Sequence, residues 1–87
     1  MLPLNYAILK YYTTVEEACA TDVIEALKDL YGNFKGLRQP AVIEALMTAE
    51  KNGLLEESRY QLDEHAQLAV YYRVSDSGRI MINRFIK

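Results

Sequence analysis

Residues 51–79, KNGLLEESRYQLDEHAQLAVYYRVSDSGR, hold the change of side-chain period that decides the fold. Before Gly53 the apolar residues recur at helical spacing; after it they alternate, which is the signature of extended chain. Residues 54–62 read as one strand and residues 67–74 as the next, with Asp63-Glu64-His65-Ala66 as the hairpin loop between them. In the second strand Leu68, Val70, Tyr72 and Val74 share one face, and Gln67, Ala69, Tyr71 and Arg73 share the other. One face is therefore core and the other at least partly wet. Ser75 stands where a hydroxyl caps a last helix carrying Ile80, Met81, Ile82, Phe85 and Ile86. That is more apolar surface than a fully solvated helix carries, so it is expected to pack on the domain or on a partner.

Working back toward the N-terminus, Leu4, Ala7, Ile8, Tyr11 and Tyr12 follow Pro3 at helical spacing and predict a first helix over residues 4–13. Thr14 and Glu17 have the spacing of a capping box, which either opens another turn or orders the connection. Residues 18–20 are small enough for a minimal edge strand, and the Thr21 hydroxyl can cap the helix that follows. In that helix Val23, Ile24, Leu27, Leu30 and Tyr31 form a stripe, ended by Gly32-Asn33. A turn-rich connection over residues 32–37 carries Phe34 and Lys35. Arg38-Gln39-Pro40 then starts a third helix, because a first-turn proline loses no intrahelical hydrogen bond. Val42, Ala45, Leu46 and Ala49 line its buried side, and Asn52-Gly53 supplies a left-handed stop.

Composition narrows the function. A chain of 87 residues with 51% hydrophobic and 25% charged residues predicts one folded domain over residues 1–87, with no second domain to form a cleft. Ten basic residues against twelve acidic ones leave a net charge of −2, so any attraction to nucleic acid must come from a local patch. The single cysteine, Cys19, allows no internal disulfide and no cysteine-rich zinc site; it fits a reducing cytoplasm and reads as a small packed hydrophobe. No apolar run approaches the roughly 18 residues of a membrane span, and the N-terminus lacks the basic flank of a signal peptide, so a cytoplasmic chain is expected. His65 is the only histidine, which leaves no two-histidine metal site and no hydrolase triad. Without a catalytic constellation, no enzyme activity, metal or cofactor is expected.

The order helix, short strand, helix, helix, strand, strand, helix is joined by two phrases, Lys51-Asn52-Gly53-Leu54-Leu55 and Tyr71-Tyr72-Arg73-Val74-Ser75-Asp76-Ser77-Gly78-Arg79. Together they resemble a winged helix-turn-helix domain of the PadR and MarR kind, where "E-K-G-L-I" leaves the recognition helix and "Y-Y-x-L-T-x-x-G-R" leaves the wing. The second phrase matches with valine for leucine and serine for threonine, the glycine and arginine staying in register. The resemblance implies an α+β winged helix: a three-helix bundle, a β-hairpin wing over residues 54–74 and a C-terminal helix. It implies that residues 22–31 form the first helix of the motif and residues 39–52 the recognition helix. Its connection is longer than the usual three or four residues, and the outer side of its recognition helix is poor in positive charge.

Function then separates into two hypotheses. In the first the chain is a small transcriptional regulator that binds double-stranded DNA, a homodimer placing two recognition helices in successive major grooves. Lys35, Arg38 and Gln39, near the start of that helix, are the candidate phosphate anchors, set against an ordinary charged loop. Ala41, Glu44, Thr48 and Lys51 lie on its outer side, where a thymine methyl or a cytosine amino group could be met. Arg59, Gln61, His65 and Arg73, with Gln67, can project from the wing, although Glu57, Asp63 and Glu64 oppose that use. In the second hypothesis the scaffold is a non-catalytic protein-interaction module, with Ile43, Met47 and Phe34 as an exposed apolar patch. The apolar first and last helices also suggest a homodimer.

Overall fold

The computed structural model describes residues 1–86. Its elements run α1 (Leu4–Tyr12), α2 (Ala20–Tyr31), α3 (Gln39–Lys51), β1 (Leu55–Leu62), β2 (Leu68–Val74) and α4 (Asp76–Phe85). Strands β1 and β2 form an antiparallel hairpin, so the period change after Gly53 is a real change of backbone. Among the described residues no helix is long and apolar enough to cross a membrane.

The switch from helix to strand is built by a glycine. Gly53 has φ +77°, a left-handed conformation that L side chains rarely adopt. Its N–H reaches the Glu50 carbonyl at 3.0 Å, and the Leu54 N–H reaches that of Ala49 at 3.0 Å. These two bonds close the last turn of α3 as a Schellman motif and point the chain into β1. Ser75 returns to the same place: its hydroxyl donates to the Gly53 carbonyl at 2.7 Å and accepts from the Gly78 N–H at 2.8 Å, capping α4. A Cβ on Gly78 would lie 2.1 Å from the Leu54 oxygen, so only glycine lets α4 start against the base of the wing.

Tyr12, Val23, Val42, Leu46, Leu55 and Ile82 are the large, fully buried side chains; together they draw α1, α2, α3, β1 and α4 onto one core. Burying each contributes on the order of 2 kcal/mol. The Tyr12 hydroxyl donates to the Ala18 carbonyl at 2.8 Å, and burial pushes its pKa well above the ordinary tyrosine value. Ala18 in turn exchanges two 2.9 Å hydrogen bonds with Tyr72, so the expected strand over residues 18–20 is a single bridge on the free edge of β2.

Three local expectations change. Thr21 does not cap α2: the helix starts at Ala20 with Cys19 as its cap residue, and the Asp22 carboxylate accepts from the Cys19 N–H at 3.0 Å. Of the two uses left open for Thr14, the connection is the one found: its hydroxyl donates to the Tyr11 carbonyl and finishes α1. Leu30, placed on the core stripe of α2, is 69% exposed. Leu68 is exposed as well, since the hairpin extends past the body of the domain and its outer half has no core beneath it.

Candidate nucleic-acid interface

Periodicity places α3 at the surface with two different sides. Val42, Leu46 and Ala49 are buried, whereas Ala41, Ile43, Glu44, Met47, Thr48 and Lys51 are exposed. Ala41, Glu44 and Thr48 border a shallow groove of about 330 Å³ shared with Ile8 and Leu9 of α1. Ile43 and Met47 face the other way, toward the hairpin. The outer side of α3 thus offers one carboxylate, one hydroxyl and, in its last turn, the cation of Lys51.

The approach to α3 is where free positive charge gathers. Lys35 and Arg38 are exposed, and neither joins an ion pair among the described residues. Arg38 is the cap residue of α3 with extended backbone, φ −129° and ψ 153°, and no side chain caps the helix. The N–H groups of Gln39 and Ala41 therefore stay open to an acceptor beside two cations, Pro40 between them having none. Gln39 is engaged differently: its amide nitrogen donates to the Thr21 hydroxyl at 2.7 Å and ties the start of α3 to that of α2. Phe34, in the same connection, stacks edge-on to Tyr31 with centroids 5.3 Å apart and remains 45% exposed.

On the wing the cations are already partnered. The register pairs Glu56 with Arg73, Arg59 with Tyr71 and Gln61 with Ala69, so Arg59, Gln61 and Arg73 share the outer face. Arg73 Nε donates to Glu56 at 2.8 Å. Arg59 Nε donates to Glu17 at 2.7 Å, its guanidinium lies 3.9 Å from the centre of the Tyr71 ring, and it also donates to the Gln61 side chain. Hydrogen bonds from Ser58 and then Arg59 hold the Glu17 carboxyl below the usual carboxylate range. His65 is exposed at the hairpin tip, where its N–H and that of Gln67 both donate to the Asp63 carboxylate, at 2.8 and 2.9 Å. Those backbone bonds, Gln67 first, lower the Asp63 pKa.

Sequence periodicity missed two features of this surface. Ser58 is bulged out of the ladder between Glu57 and Arg59. The signal was present as a change of parity: Leu55 is apolar on odd numbers, Tyr60 and Leu62 on even ones. Glu17 as the partner of Arg59 had no local signal, since 42 positions separate them.

No protein-family model matches the sequence, and no curated protein matches it. Solved structures do. The PadR of Bacillus subtilis, solved in complex with operator DNA, superposes with a TM-score of 0.75 at 21% identity, over 97% of this chain and 47% of that one. A protein of Thermoplasma acidophilum regarded as a transcriptional regulator gives 0.74 at 14% identity, over 95% of this chain and 76% of that one. A PadR-like transcriptional regulator of Bacillus cereus gives 0.68 at 20% identity, over 94% and 76%. This chain spans about half the length of the Bacillus subtilis protein. At these identities the likeness is one of fold, and it agrees with the helices, the wing and the glycine-built junctions described above: the chain has the α+β winged-helix fold of PadR-like transcriptional regulators.

Proposed function

We propose that the chain is a DNA-binding winged-helix regulator without catalytic activity, acting in the cytoplasm, with α3 as its recognition helix. The observation that carries this reading is the pair of unpaired cations, Lys35 and Arg38, at the uncapped N-terminus of α3. Such an arrangement suits a phosphate of the duplex backbone. The operator-bound PadR, similar in fold over nearly the whole of this chain, supports the same use of the scaffold. Ala41, Glu44, Thr48 and Lys51 then face base edges. Arg59, Gln61, His65 and Arg73 serve as wing contacts, Arg59 and Arg73 exchanging Glu17 and Glu56 for phosphates. A homodimer is part of the proposal: Ile80, Met81 and Phe85 leave an apolar side of α4 exposed, and a second copy would cover it.

Fluorescence anisotropy with a labelled duplex at low salt tests the anchor assignment. The double variant Lys35→Ala, Arg38→Ala should bind more weakly to every sequence tried, by about tenfold or more. Unchanged affinity would remove these two residues from the interface.

The exposed Ile43 and Met47 favour a second reading, in which the same scaffold binds a protein.

A further inference from the structure

The wing and α3 enclose a groove of about 480 Å³ on the side away from α1. Leu46, Val70 and Tyr72 line its floor, and Ile43, Met47 and Leu68 rise along its sides, exposed to 46%, 48% and 63%. Register extends that surface, because Tyr60 pairs with Val70 and Leu62 with Leu68 on the same face of the hairpin. The bulge at Ser58 produces this placement. With unbroken alternation from Leu55, Arg59 and Gln61 would turn toward the groove and Tyr60 and Leu62 away from it. The hairpin thus directs its arginines outward and its large apolar residues toward α3, past the point where the core ends.

Charge around the groove has one prevailing sign. Asp63 lines it at the tip of the wing. At the base, Glu57 accepts a hydrogen bond from the Tyr60 hydroxyl, and Glu50 stands in the last turn of α3. His65 is the one basic side chain on its lining, and no lysine or arginine is among the lining residues. An apolar trough with carboxylates at both ends matches a segment that carries apolar residues on one side and cations beside them.

We infer that the groove between α3 and the wing docks a basic amphipathic helix of a partner protein. Its apolar side chains fill the space beside Ile43, Met47 and Leu68, and its lysines or arginines approach Glu50, Glu57 and Asp63. A helix seated there covers the Ile43 and Met47 side of α3 and leaves Ala41, Glu44 and Thr48 on the opposite side uncovered. The docking itself does not rest on the DNA reading.

The test is a titration of the isotope-labelled full chain, followed by NMR, with a synthetic helix of about 18 residues. Its leucines are placed at i, i+3, i+4 and i+7, with lysine elsewhere; a second peptide carries glutamate in place of lysine. Saturable shifts are expected at Ile43, Met47, Leu68 and Val70 with the lysine peptide only. The triple variant Glu50→Gln, Glu57→Gln, Asp63→Asn, which keeps the acceptor for the hairpin turn, should weaken binding about tenfold. Leu68→Asp, at an exposed position outside the core, should abolish it. Equal binding of both peptides, an unaffected triple variant, shifts centred on Ile80, Met81 and Phe85, or groove signals that move with protein concentration alone would each overturn the inference. Duplex DNA added without peptide separates the two proposals. If DNA moves the Lys35 and Arg38 signals while the lysine peptide moves nothing, the docking fails and the DNA reading stands; peptide binding with no DNA binding gives the reverse.

Discussion

Glu17 accepts a 2.7 Å hydrogen bond from Arg59 Nε, joining the connection after α1 to the middle of β1 across 42 positions. Ser58, the bulged residue, donates to the other oxygen of the same carboxylate at 2.5 Å. The wing is thus held to the body at its bulge. Exposure of the pair makes its energetic contribution small, and its effect is one of orientation. Glu17→Gln should leave the thermal midpoint nearly unchanged while hydrogen exchange accelerates at β1 amides near Arg59; unchanged exchange there would show that the pair does not orient the wing.

Acid should act on the wing before it acts on the core. Glu17 and Asp63 both have depressed folded-state pKa values, through side-chain bonds from Ser58 and Arg59 and through backbone bonds from Gln67 and His65. A depressed pKa gives stabilisation that is present above the unfolded-state value, about 4, and is lost as pH falls through the folded-state value. Amide exchange and chemical shifts of residues 58–67 should therefore change over that acidic window while Val42 and Leu46 stay protected. A single simultaneous transition of wing and core would contradict this.

The junction glycine Gly78 and the loop residue Ala66 predict opposite outcomes. Gly78→Ala drives a methyl into the Leu54 carbonyl and should cost about 3 kcal/mol, read by denaturant unfolding. Ala66 has φ +60°, a region that is unfavourable for alanine by roughly 1 kcal/mol. Ala66→Gly should be neutral or slightly stabilising, the gain offset in part by the added freedom of the unfolded chain. If both substitutions destabilise equally, the backbone account is wrong.

Along α3, Leu46→Ala should cost about 3 kcal/mol and Met47→Ala less than about 0.5 kcal/mol, because the first is fully buried and the second half exposed. Comparable losses would mean that another chain covers Met47 in solution. For the proposed dimer, sedimentation at rising concentration should show a shift to twice the monomer mass, abolished by Phe85→Glu; a monomer throughout would remove it.

Most of the architecture was legible because it follows from period and from a few obligatory residues. The Gly53 stop, the Ser75 cap and Gly78 are local chemistry, readable in windows of a few residues. The exposed and buried sides of α3 followed from its 3.6-residue repeat. What local pattern could not supply was the partner of each charge. Arg59 and Arg73 read as projecting from a wing opposed by Glu57, Asp63 and Glu64, yet it is Glu17 and Glu56 that pair with them, the first across a distance in sequence that no window spans. Leu68 and Leu30 obey strand and helix patterns but lie beyond the reach of the core, because a pattern fixes a face and not what covers it. The cap of α2 passed from Thr21 to Cys19 and Asp22, since several polar residues near a helix start compete for the same amides.

The salt dependence of binding to a random duplex tests the central proposal most directly. If the chain binds DNA through Lys35, Arg38 and the wing, the logarithm of its affinity should fall linearly with the logarithm of salt concentration. Removing Lys35 and Arg38 together should lower the slope by about 2. A chain that shows no saturable binding even at low salt, or a slope unaffected by that double substitution, would contradict the account.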